Sequence, residues 1–251
     1  MSGSNELAGK VAVVTGAGRN IGRAIALSLA DAGASIVVNA RSNRKEADKV
    51  VGEIEATAGK AVAVIGDVAD PKVAQAMADA AVKAFGRIDI LVNNAALRRE
   101  KSIAEMSYEE WREVMGVILD GAFHCVKACL PAMRKNGGTI INLGGMSAHL
   151  GSKHRAHVMT AKAGLIGFTR ALAHDLAADS ITANCVVPGA VATTRPSTSL
   201  TPAHHLTHGT ITGKRGAPED VAAMVRFLAG PSGRFVTGQA IHVNGGAFLG
   251  D

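Results

Sequence analysis

Short apolar runs recur along the chain, each followed by a longer stretch whose apolar positions return every three to four residues. The runs fit strands buried on both faces, and the periodic stretches fit helices with one buried stripe. Strands are predicted at KVAVVTG (10–16), SIVVNA (35–40), AVAVIGD (61–67), IDILVNNA (88–95), GGTIINLGG (137–145), ITANCVVPG (181–189) and QAIHVNGG (239–246). Helices are predicted at 21–33, 44–59, 71–86, 107–135 and 155–177, with a short one opened by Pro218. Punctuation supports these bounds. Asp70 and Pro71 read as N-cap and first-turn residues, Ser107 and Glu110 as a capping box, and Gly33, Gly59 and Gly86 as stops.

Strand and helix alternate throughout, which predicts an α/β fold of the Rossmann, doubly wound type. About seven parallel strands carry helices on both faces of the sheet. One domain over residues 1–251 is expected. Ligands of such sheets bind beyond the carboxyl ends of the strands. The one long irregular stretch, 189–217, is expected to be a substrate lid or binding loop.

Composition narrows the function classes. Of 251 residues, 47% are hydrophobic and 19% charged, so a packed core is expected rather than disorder. No signal peptide is read at the start, and no apolar run approaches the ~20 residues of a membrane span. Three cysteines, Cys125, Cys129 and Cys185, are too few for a disulfide framework and suit a cytoplasmic protein. The first two lie four apart on one helix face, as packing residues. A net charge of +6 admits nucleic acid, anionic lipid or a phosphorylated small molecule as partner. With 3% aromatics and scattered basic residues, a nucleic-acid reader is disfavoured, and a small molecule is expected instead.

The first strand passes into its helix through VVTGAGRNIGRAIA. Gly16 and Gly18 allow a tight turn and close approach to a pyrophosphate. Gly22 lets the helix lie against the strand, and the helix N-terminus presents N–H groups to phosphate. The second strand ends VVNARSNRK, with no acid before Glu46. An NAD site needs a carboxylate there for the ribose hydroxyls. Arg41, Ser42 and Arg44, with Arg19 from the glycine loop, suit a 2′-phosphate instead, so NADP(H) is favoured and NAD(H) is the alternative.

Taken together, Thr15 to Gly22, Asp67-Val68, Asn93-Asn94-Ala95-Ala96, Lys162, Pro188-Gly189 and the GQAIHVNGG ending resemble the short-chain dehydrogenase/reductase family over essentially the whole chain. The look is of members labelled 3-oxoacyl-acyl-carrier-protein reductases. The resemblance implies cofactor contacts from Gly16, Gly18, Arg19, Asn20, Ile21, Gly22, Arg41, Ser42, Asp67, Val68, Asn93, Ala95, Lys162, Pro188, Gly189 and Val191. Asp67 would meet the adenine amino group and Val68 its ring edge. It also implies a homotetramer or homodimer, with the long helices and the 239–248 ending in the interfaces.

The chain departs from the family pattern at several positions. Asn20 replaces the middle glycine of the loop, and asparagine is the side chain that best tolerates positive φ. Ala96 ends the NNAG-like motif. The family catalyses with Asn, Ser, Tyr and Lys; here these positions hold Ile118, Gly145, Val158 and Lys162. Valine transfers no proton. Replacements are sought in His154 and His157, with His149 also near, and in Ser147 for the substrate oxygen. His204, His205 and His208 in AHHLTH lack a completing Asp, Glu or Cys, and no metal site is expected. Three readings follow. The first is an NAD(P)(H)-dependent oxidoreductase on a small carbonyl or alcohol with an altered proton path. The others are a silent dinucleotide-binding protein and a non-redox lyase or isomerase.

Overall fold

A computed structural model describes residues 5–194 and 209–250. Seven strands form one wholly parallel sheet: β1 (Val11–Val14), β2 (Ser35–Ala40), β3 (Ala61–Ile65), β4 (Ile90–Asn93), β5 (Gly138–Leu143), β6 (Ile181–Pro188) and β7 (Ala240–Val243). Their spatial order is β3-β2-β1-β4-β5-β6-β7. The sequence reverses direction between β1 and β4, which opens a crevice at their carboxyl ends.

The helices are α1 (Asn20–Asp31), α2 (Arg44–Glu55), α3 (Pro71–Phe85), α4 (Tyr108–Met115), α5 (Gly121–Met133), α6 (Ser147–Leu150), α7 (Ala156–Asp175) and α8 (Pro218–Ala229). Two apolar layers flank the sheet. On one side Ile25, Leu29, Val50 and Val225 of α1, α2 and α8 cover Val14, Ile36 and Val38. On the other, Met77, Ala81, Val126 and Cys129 of α3 and α5 cover Val13, Leu91 and Ile140. At ~25 cal/mol per Å² of apolar area, these layers are the main favourable term of the fold.

Local chemistry sets the boundaries as expected. Asp70 accepts from Lys72 N–H at the start of α3, and Gly86 closes that helix at φ +81°. The capping box of Ser107 and Glu110 is complete. The predicted helix 107–135 is realised as α4 and α5 joined by a π-helical turn at Gly116–Asp120. Its 26 residues, with a window of mean hydropathy 1.4, are long and apolar enough to cross a membrane. That differs from the expectation of no such run. In this fold its buried side chains belong to the core against α3 and α7. Helix α6 is an addition to the predicted elements. Residues 195–208 of the expected lid, with His204, His205 and His208, lie outside the described residues.

Candidate functional site

The carboxyl ends of β1, β2, β4, β5 and β6 surround a cleft of about 1040 Å³. Its lining includes Gly16, Gly18, Arg19, Asn20, Ile21 and Gly22 from the glycine loop, with Arg41, Ser42 and Glu46 after β2. Asp67, Val68, Ala95, Ser147, Val158, Lys162, Pro188, Gly189 and Val191, all expected from the sequence, line it as well.

The glycine loop is held from three sides. Gly16 adopts φ +61°. A Cβ at Gly22 would stand 2.2 Å from Gly16 O and 2.5 Å from Asn94 Nδ2, so the turn and helix touch where only glycine fits. Asn94 donates to Thr15 O (2.9 Å) and Gly16 O (3.0 Å). The Thr15 hydroxyl accepts from the N–H groups of Asn94 and Ala95. Asn39, buried in β2, accepts from Gly16 N–H at 3.2 Å and donates to Val64 O and Gly66 O. Sequence reasoning assigns no such role to Asn39 or Asn94; for Asn39, a polar residue inside an otherwise apolar strand is the available signal. Replacing Asn39 with leucine strands Gly16 N–H and two strand-end carbonyls. A loss of about 2 kcal/mol in unfolding free energy is expected, measured by urea titration.

Asn20 takes φ +52°, the left-handed conformation its amide tolerates. Its side chain also closes a reciprocal pair with the backbone of Thr194: Thr194 N–H donates to Oδ1 at 2.8 Å and Nδ2 donates to Thr194 O at 3.2 Å. Asparagine at this position therefore ties the phosphate loop to the segment that leaves β6. That segment is pinned again where Val191 bridges Gly216. Gly189 lies against Asn244, where a Cβ would approach to 2.7 Å.

At the far end of the cleft Arg41 is half exposed. It meets Asp67 at 2.8 Å and Glu113 at 3.4 Å, and Glu113 also holds Arg99 at 2.7 Å. Helix α2 turns Glu46 back onto Gly18: a Cβ at Gly18 would lie 3.3 Å from Glu46 Cβ and 3.5 Å from Oε2. An acid therefore does face this end of the cleft, although it stands in α2 rather than at the end of β2. The fold brings it there because the first turn of α2 follows β2 directly.

Asn93 is displaced from the expected role. It is 5% exposed and donates to Asn142 Oδ1 at 2.9 Å. Asn142 in turn donates to the Thr169 hydroxyl. Asn93 thus belongs to a buried polar chain between β4, β5 and α7, and the cleft is lined by Asn94, Ala95 and Ala96 instead. Strand alternation explains this, because successive side chains point to opposite faces.

Lys162 is buried, at 8% exposure, and donates to Leu143 O at the end of β5. Burial pushes its ammonium down to about 8; the neighbouring Cys185 opposes that, and Arg98 and Arg155 add to it. Val158 and Ile118 pack into one apolar cluster with Val114, Ala161 and Leu165. Ile118 sits in the π-helical turn, a distortion common at functional positions. Gly145 leaves space: a Cβ there would meet only Lys162 Cγ, at 4.0 Å. Ser147 opens α6 at the cleft wall.

The histidines do not join this group. His154 is exposed in a left-handed turn (φ +60°), where its carbonyl accepts from Lys101 N–H. Helix α7 starts only at Ala156, so His154 does not share the face of Val158. His157 is fully buried, its ring nitrogens without well-formed hydrogen bonds, and desolvation holds its pKa below the usual range. Neither lines the cleft. His149 packs against His242 and Phe248, with ring centroids 4.6 and 5.3 Å away.

A glycine turn that only glycine can occupy, a helix N-terminus and an adjoining cleft of this size fit a dinucleotide. Residues 16–247 match a family model described as enoyl-(acyl carrier protein) reductase. The chain is 40% identical to the 3-oxoacyl-[acyl-carrier-protein] reductase of Synechocystis sp. over 97% of its length and 98% of the relative's.

The chain belongs to the short-chain dehydrogenase/reductase family of NAD(P)-dependent oxidoreductases.

Other relatives of this dehydrogenase/reductase agree. A Staphylococcus aureus 3-oxoacyl-[acyl-carrier-protein] reductase is 38% identical over 96% of this chain and 98% of its own. Among solved structures, a blue fluorescent protein from a metagenomic library, in complex with NADPH, superposes with a TM-score of 0.91 at 35% identity. That match covers 97% of this chain and 100% of the other. A dehydrogenase/reductase from Sinorhizobium meliloti also reaches 0.91 at 35% identity, covering 98% of each chain.

Proposed function

We propose that the protein is an NADP(H)-dependent oxidoreductase acting on a small carbonyl or alcohol, with Lys162 itself as the group that holds and moves the proton. The observation that carries this reading is the composition of the cleft wall. Among the described residues lining it there is no histidine or tyrosine, whereas Lys162 is buried there with an ammonium pushed down to about 8. A group titrating near the working pH is suited to general acid–base chemistry.

A bound nicotinamide nucleotide would supply or accept the hydride. The chain's own residues then divide the remaining work. The loop Gly16 to Gly22 and the N-terminus of α1 would hold the pyrophosphate. Arg41, Ser42 and Arg19 would hold a 2′-phosphate, and Asp67 and Val68 the adenine. The NADPH bound by the metagenomic neighbour supports the phosphorylated cofactor. Glu46 beside Gly18 is the feature that favours NAD(H). Ser147 would hydrogen-bond the substrate oxygen. Lys162 Nζ would stabilise the developing negative charge on that oxygen and give it a proton. Val158 would wall the site with apolar surface, backed by Ile118 in the same cluster, and exclude water, which strengthens the field of the ammonium. The same two residues favour the second reading, a nucleotide-binding protein without turnover, because neither transfers a proton. Self-association, as a homotetramer or homodimer, is proposed on the resemblance alone.

Fluorescence titration with NADPH and NADH tests the cofactor reading. NADPH is expected to bind more tightly, and Arg41→Ala to weaken it by about tenfold while leaving NADH nearly unchanged. Equal binding of the two cofactors by the native protein would overturn the NADP(H) assignment. Turnover of a carbonyl panel then separates the oxidoreductase from the silent binder.

A further inference from the structure

Residues 188–194 leave β6 and run as a strap along the cleft, which Pro188, Gly189, Ala190, Val191 and Thr194 line. Backbone bonds hold its first part. Gly189 N–H donates to Val243 O at 2.9 Å, Gly216 N–H to Ala190 O at 3.0 Å, and Ala192 N–H to Gly216 O at 2.8 Å. The far end is held differently. Thr194 is exposed, and its backbone meets the Asn20 side chain through two hydrogen bonds, of 2.8 and 3.2 Å. Among the described residues Thr194 makes no other hydrogen bond. Asn20 and Thr194 also border a second hollow of about 660 Å³, together with Arg19, Ala192 and Glu219. No packed layer of side chains fills the space beside the end of the strap, so the two hydrogen bonds are its fastening there.

The strand order decides which part of a dinucleotide this concerns. Arg41 follows β2 and the phosphate loop follows β1, whereas β6 lies on the other side of β1, beyond β4 and β5. A dinucleotide with its 2′-phosphate at Arg41 and its pyrophosphate at the glycine loop therefore extends its nicotinamide half toward the strap. Asn20 is the first residue of α1. Its backbone belongs to the pyrophosphate site, and its side chain fastens the wall of the nicotinamide half. A wall ordered before the ligand arrives loses less conformational freedom on binding than one the ligand must itself order.

We propose that Asn20 is a positioning residue for the nicotinamide half of the cofactor: its amide fixes the strap 188–194 against the phosphate loop, so that both halves of the dinucleotide meet one preformed surface. The inference rests on the reading of the same cleft as the site of an NADP(H)-dependent oxidoreductase. Asn20 acts through the strap and takes no part in bond making. Glycine is the substitution that isolates the tie. It adopts the φ of +52° found at Asn20 without strain, so Asn20→Gly removes both hydrogen bonds and leaves the turn in place.

The test compares two ligands on the full chain by calorimetry. One is NADPH. The other is 2′-phosphoadenosine 5′-diphosphoribose, which keeps the adenine, the 2′-phosphate and the pyrophosphate but has no nicotinamide. Asn20→Gly is expected to weaken NADPH by about tenfold and to leave the truncated ligand within about twofold of its native affinity. A residue that merely shaped the phosphate loop would weaken both alike. Hydrogen exchange at Thr194 N–H gives a reading that needs no ligand, and it is expected to quicken by about tenfold in Asn20→Gly as its acceptor is lost. Equal weakening of the two ligands, weakening of neither, or Thr194 exchange that the substitution leaves unchanged would each overturn the proposal. Failure of the native protein to bind NADPH at all would strike the oxidoreductase reading, and the proposal with it.

Discussion

Lys162→Met is expected to lower turnover by about two to four orders of magnitude, the range over which a positioned proton donor contributes. The same substitution is expected to raise stability. The ammonium titrates at about 8 in the folded chain against 10.5 in its ordinary state, because burial penalises the charge. Between those values the unfolded chain binds more protons than the folded one, so native stability rises with pH across that window. Below pH 8 the full penalty is present, about 3 kcal/mol from that shift. Methionine is similar in length and carries no charge to desolvate. The variant should therefore melt higher than the native protein at pH 7, and the gap should close as pH approaches 10.5. Urea titrations at about pH 7 and about pH 10 check this. A variant that is less stable at the lower pH would show that the contact from Lys162 to Leu143 O outweighs desolvation. A gain in stability with loss of activity is the pattern of a residue kept for function.

Gly22→Ala is expected to be nearly as severe, through the cofactor half of the cleft. Its methyl would fall 2.2 Å from Gly16 O and 2.5 Å from Asn94 Nδ2. Neither atom can move alone. Gly16 O accepts from that same amide, and Gly16 N–H is held by Asn39. The methyl must separate α1 from the turn, which costs about 3 kcal/mol as overpacking. If most of that falls on the loop that cradles the pyrophosphate, NADPH affinity drops by about a hundredfold. Fluorescence titration reads the affinity and a thermal melt reads the stability. Native affinity in the variant would show that α1 shifts freely and that the close approach does not require glycine at this position.

The fold was legible because its signals are local and repeated. Buried parallel strands read as apolar runs, and capping residues such as Asp70, Gly86 and the Ser107–Glu110 pair fix helix ends within a turn. The phosphate loop was legible for the same reason, since its glycines are adjacent and Asn20 carries the signature of positive φ in its own chemistry. What could not be read depends on contacts distant in sequence. Glu46 faces Gly18 only once α2 folds back over the loop. Asn93 turns inward because it sits one residue out of phase with Asn94 along the chain leaving β4. The expectation that His154 and His157 replace the proton donor relied on nearness along the chain. The helix begins after one and buries the other. The π-helical turn at Gly116–Asp120 left no periodic trace that marks it in the sequence.

The most direct test of Lys162 as proton donor is the pH dependence of a single reductive turnover by the NADPH-loaded protein, measured from about pH 6 to about pH 10. The charged form of Lys162 is the donor, so the rate should be level at lower pH and fall as pH rises through about 8. Lys162→Met should show a low rate without that step. A native rate that holds level above pH 8, or a step that survives in Lys162→Met, would contradict the assignment of the proton to Lys162.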